Sequence, residues 1–118
     1  MQTLTREELD AILDKHRLWL RNPEEGEQAD FFRANLKGAD LKGADLRGVH
    51  FFEANLNEAD LSGANLSGAY FGWARLNGVN LEGANLSGAD LRGAGLVDAK
   101  LSGVDLSEVR FGREFYLR

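Results

Sequence analysis

The chain has 118 residues, a net charge of −5 and no cysteine, which fits one small domain and excludes disulfides and thiolate metal sites. An acidic balance without a basic stripe argues against a nucleic-acid partner, and no apolar run reaches the length of about 18 residues that a membrane span needs. The N-terminal segment is interrupted by charges rather than carrying the apolar core of a signal peptide, so a cytoplasmic protein is expected.

Residues 1–28 hold 7 acidic and 4 basic side chains. Within them, "LTREELDAILDKHRLWLRNP" predicts an amphipathic helix from Arg6 to Arg21. Thr5 is the expected N-cap and Glu8, three residues on, completes a capping box, with Leu4 and Leu9 placed as a hydrophobic staple. Asn22 before Pro23 ends the helix. Leu9, Ile12, Leu13, His16, Trp19 and Leu20 recur at helical spacing and form one apolar face. That face is expected to cover the near end of the repetitive segment that starts at Ala29, with His16 and Trp19 read as packing residues of a cap rather than a ligand site.

From Ala29 to Arg113 the chain divides into 17 consecutive pentads without a gap. The first residue of every pentad is Ala or Val, the third is Leu or Phe, and the fifth is Gly in ten of them. The second is most often Asp or Asn. An Ala-Asx-Leu triplet alternates in, out, in, as on an extended segment. The next two residues must turn the chain, and Gly in the fifth place suits a turn position with positive φ. A chain that runs straight and turns with the same side always inward is an all-β solenoid, in which no single repeat buries its own apolar side.

Phe31, Phe51, Phe71 and Phe111 fall in register modulo 20, with Leu91 the exception in that column. Large side chains stacking between layers therefore imply four pentads per coil, a quadrilateral cross-section and about four coils. The expected organisation is 1–28 as capping helix and linker, 29–113 as β-helix and 114–118 as a C-terminal tail. In that tail, Phe115, Tyr116 and Leu117 join Phe111 either as a cover for the last coil or as a two-fold homodimer contact.

The outward positions of two walls are bland, with Asp40, Asp60, Asn80, Lys100 and Asp45, Asn65, Asn85, Asp105 among Ser and Gly. Amide ladders and tolerance to change are expected there. The wall outside the phenylalanine column differs, because Phe32, His50, Phe52, Tyr70, Trp73, Arg92 and Arg110 gather on it. Exposed aromatics with arginine are the composition of a protein-binding patch. Carboxylates on flat, repetitive walls without a cleft, and His16 and His50 placed apart from each other, give no catalytic couple and no metal or cofactor site.

The tandem "A(D/N)LXX" pattern of residues 29–113 resembles the pentapeptide repeat proteins. That resemblance implies a right-handed quadrilateral β-helix, a non-enzymatic structural or protein-interaction role, and relatives that are often bacterial and uncharacterised. It also implies an alternative, a DNA-mimicking modulator of DNA gyrase or topoisomerase. Charge weighs against that alternative. Duplex DNA carries a charge per about 1.7 Å, so a rod of roughly 20 Å would need about 12, whereas the pentads hold 11 acidic and 9 basic residues.

Overall fold

The structure is a computed structural model, and it describes residues 3–112. Among the described residues there is one helix, α1, which spans Arg6–Arg21. The Thr5 hydroxyl accepts from the Glu8 N–H at 3.0 Å while the Thr5 N–H donates to the Glu8 carboxylate at 3.0 Å, satisfying two donors that a helix start leaves open. Glu7 and Glu8 also place negative charge in the first turn, where the helix dipole favours it. At the other end the Asn22 N–H donates to the Leu18 carbonyl at 2.8 Å. Leu9, Leu13 and His16 are buried, and Ile12 and Leu4 pack half-buried against the same core.

Each pentad disposes of its five backbone N–H groups in a fixed way, which explains the period. In the pentad from Ala34, the first N–H donates to the Phe31 carbonyl at 2.9 Å and closes a turn. The residue before it, Arg33, has φ +57°, the left-handed i+2 position of a type II turn. The third and fifth N–H groups, of Leu36 and Gly38, donate to Asn55 and Asn57 in the next coil at 2.8 and 2.9 Å. The second N–H of a pentad reaches back, as from Asn55 to Ala34 at 2.9 Å.

The fourth N–H has no backbone acceptor in the inner coils of the described residues, and where the outward second residue is Asp or Asn its side chain supplies one. Lys37 N–H donates to Asn35 Oδ1, Lys42 to Asp40, Ser62 to Asp60, Ser67 to Asn65 and Ser87 to Asn85, at 3.0–3.2 Å. This corrects the expectation of freely tolerant amide ladders on those walls. The Asx side chains are local turn caps, so their loss strands a donor.

Parallel bridges join residues twenty apart along all four sides, as in Asp30↔His50↔Tyr70↔Asp90↔Arg110 and Asp40↔Asp60↔Asn80↔Lys100. They are single-residue bridges; among the described residues no longer strand forms, because each straight side has room for only about three residues before the next turn. Thr3 adds one bridge to Asn35 ahead of the first coil. Every third-position side chain from Phe31 to Leu96 is at most 2% exposed. Phe31 and Phe51 stack at 5.5 Å and 13°, and Phe51 and Phe71 at 5.0 Å and 10°, which gives the 20-residue register its packing cause. The ladder slips near its far end, where Gly88 N–H reaches Glu108 rather than Ser107. There Leu101, Val104, Leu106, Val109 and Phe111 are half-buried.

Candidate partner-binding face

The docking of α1 sets one end of the rod. Its His16 is fully buried: Nδ1 accepts from the Ala29 N–H at 3.0 Å, so Nε2 carries the hydrogen and donates to the Arg47 carbonyl at 2.8 Å. Trp19 stacks on the ring at 5.5 Å. Both His16 nitrogens are thus spent on joining α1 to the first coil, and burial holds its pKa below the ordinary histidine range. This is a structural docking residue.

The phenylalanine wall carries four of the five exposed large hydrophobic residues among the described residues: Phe32, Phe52, Tyr70 and Trp73. The structure divides the sequence-predicted patch into two parts. His50, Phe52 and Tyr70 form a ring cluster, with centroids 4.7 Å apart for His50–Tyr70, 5.8 Å for His50–Phe52 and 6.0 Å for Phe52–Tyr70. Phe52 lies over Gly72, where an added Cβ would stand 2.7 Å from its ring atoms. Phe32 is 51% exposed and meets the Arg33 guanidinium at 5.2 Å. Arg92 grips the buried Asp90 carboxylate through Nε and Nη2 at 2.6–3.0 Å, and that contact, foremost, holds the Asp90 pKa below the usual carboxylate range.

Trp73 stands apart at the corner, 72% exposed. A Cβ at Gly93, one coil on, would lie 2.6–2.8 Å from Cδ2, Cε3 and Cε2 of the indole. Near-equal distances to these three atoms place it over the face of the six-membered ring. One indole face therefore rests on Gly93. Beside it, an open depression is lined by Arg33, Glu53, Trp73 and Arg75, with Arg33 Nε 2.9 Å from Glu53 Oε2.

Arg33, Glu53 and Arg75 were not in the sequence-predicted patch, yet a signal existed. Arg33, Glu53 and Trp73 occupy successive fifth positions of one corner with φ of +57°, +55° and +56°. A non-glycine residue there costs on the order of 1 kcal/mol. Arg75 stands where Asx would cap, and Asn77 N–H instead donates to Asn57 Oδ1 at 2.9 Å, while beyond Gly95 the Val97 N–H donates to Asn77 Oδ1 at 3.1 Å.

Phe111 packs half-buried against the core, whereas Phe115, Tyr116 and Leu117 lie outside the described residues. Among the described residues no cluster of His, Asp and Glu could hold a metal ion, and no helix is long and apolar enough to cross a membrane.

The profile of the family described as pentapeptide repeats (8 copies) matches the chain twice, over residues 29–68 and 69–108. The chain belongs to the pentapeptide repeat family, whose members fold as right-handed quadrilateral β-helices. Among solved structures it is similar to a pentapeptide repeat protein of the Arabidopsis thaliana thylakoid lumen, at 38% identity over 71% of this chain and with a TM-score of 0.62. It spans 62% of that protein's length. It is also similar to the pentapeptide repeat protein Rfr23 of the cyanobacterium Cyanothece 51142, at 37% identity, 77% and 69% coverage of the two chains and a TM-score of 0.43. A third is HetL of Nostoc, at 39% identity, 68% and 39% coverage and a TM-score of 0.37. No curated protein matches the sequence.

Proposed function

We propose that this chain is a non-enzymatic protein-interaction module: a rigid, right-handed four-sided rod of a little over four coils, capped by α1, that presents its phenylalanine wall to a protein partner. One observation carries the reading. Phe32, Phe52, Tyr70 and Trp73 are exposed together on a scaffold whose opposite walls show Asx, Ser and Gly. Such clustering on one face is the usual mark of an interface. The contact residues are Phe32, His50, Phe52, Tyr70, Trp73 and Arg92. Burial of the third-position leucines leaves no interior cleft for a substrate among the described residues, which supports a role other than catalysis.

The experiment is a pull-down from the source cell extract with wild type and with Tyr70→Ser/Trp73→Ser. Partners captured by wild type and lost from the variant support the reading; identical partner sets overturn it. Two further assignments belong to the proposal. Fractionation tests the cytoplasm as the compartment. Light scattering tests a homodimer through Phe111 and the C-terminal tail, and a mass that stays monomeric as concentration rises sinks that contact.

A further inference from the structure

We infer that the Trp73 corner is a docking site for an acidic peptide segment of the partner, one whose aromatic side chain stacks on the indole while a neighbouring carboxylate pairs with Arg75. This deepens the protein-interaction reading and rests on it. Four observations lead there. The Trp73 ring is held flat against Gly93, so it is a preformed platform with one covered and one open face, and an aromatic contact to it loses little further side-chain freedom. Arg75 is exposed and is the charged lining residue without an ion pair or side-chain hydrogen bond among the described residues, since Arg33 is engaged by Glu53.

Both residues also break the repeat's local rules. Trp73 occupies a left-handed position at φ +56°, where Gly stands in ten pentads. Arg75 displaces a turn-capping Asx, and Asn57 supplies the missing acceptor to Asn77. Local departures that are compensated elsewhere mark functional positions. Finally, the charged lining of the depression is two arginines against one glutamate, a local surplus of one positive charge that selects a carboxylate ligand. A single spare cation is too few for a polyanion such as a nucleic acid, whose binding needs many basic contacts, so a peptide is favoured over an oligonucleotide.

The test follows the two indole N–H signals of the full chain by NMR, with Trp73 assigned from Trp73→Gly, which places in the corner the residue its conformation prefers. The probes are a Glu–Tyr random copolymer, polyglutamate, a Lys–Tyr copolymer and oligo(dT). The expected result is that Glu–Tyr shifts the Trp73 signal, that Trp73→Gly abolishes binding, and that Arg75→Gln weakens it about tenfold. Lys100→Ala on the opposite wall should leave it unchanged, and added salt should weaken it. A single cooperative melting transition in each variant establishes that the variants are folded. Equal response to Lys–Tyr, preference for oligo(dT), an unaffected Arg75→Gln variant, or no shift with any probe overturns the acidic-peptide assignment. If the pull-down partner nevertheless depends on Tyr70 and Trp73, the interaction reading stands and only its ligand class falls.

Discussion

The fourth N–H of a pentad depends on a side chain for its acceptor, which makes the outward Asx residues sensitive in proportion to how alone they are. Asn57 is the sharpest case, because its Oδ1 serves the Asn77 N–H across a coil boundary where Arg75 cannot. Asn57→Ala should cost about 1 kcal/mol by urea unfolding. On an Arg75→Asn background, a local cap returns and the same substitution should cost much less. Equal costs in both backgrounds would exclude this compensation, and the double-mutant cycle measures it directly. A second residue-scale prediction concerns Gly93, which combines φ +73° with the overlying Trp73 ring. Gly93→Ala should destabilise by roughly 1–2 kcal/mol and shift the indole emission as the ring is lifted; an unchanged emission spectrum would refute the stacked geometry. The phenylalanine register and the aromatic wall are legible in the sequence because size and aromaticity interrupt a monotonous pattern. The Asn57 and Asn77 relay is not, since it becomes visible only once the fourth N–H is known to need a side-chain acceptor.

The helix limits are written in Thr5, Glu8 and Asn22 because capping is local chemistry, whereas the docking of α1 is not local at all. His16 is 13 residues from Ala29 and 31 from Arg47, and nothing in the helical spacing says that a buried ring will bond to both. The consequence is a pH dependence of the element. Burial is the main cause lowering the His16 pKa, with the Arg47 and Arg17 charges acting in the same direction; the Arg47 carbonyl bond and the Asp45 carboxylate oppose it. A folded-state pKa below the ordinary value of about 6.5 means that the unfolded chain takes up the proton first. Stability from this joint is therefore complete above about pH 6.5 and is lost as pH falls toward the lower folded value. A proton on Nδ1 would also set a donor against the Ala29 N–H. Hydrogen exchange of the α1 amides between pH 8 and 5, corrected for intrinsic rates, should show protection falling on the acidic side in wild type and much less change in His16→Gln. Wild-type protection that is flat across this range would remove His16 as the cause.

At the scale of the whole rod, the decisive quantity is twenty residues, and it can be separated from five by excision. Removing residues 39–58 deletes one full coil and joins Gly38 to Ala59, leaving Phe31 in register with Phe71 and keeping the Trp73–Gly93 contact one coil apart. His16 would find the Ser67 carbonyl where the Arg47 carbonyl had been, since the two positions stand twenty apart in the ladder, as the Asp45↔Asn65 bridge shows. Removing residues 49–58 deletes half as much but carries Phe71 to the opposite wall, into a column of leucines. That loses an aromatic stack of about 0.5–1.5 kcal/mol and overpacks the receiving wall by about 1–3 kcal/mol, in addition to the lost residues. A chain governed only by the pentad would be hurt less by the smaller cut. Because neighbouring coils are the units of stability, the larger excision should retain a single cooperative thermal transition and the higher melting temperature of the two. The reverse order would show that leucine-sized and phenylalanine-sized columns are interchangeable, and that stacking between coils does not set the register.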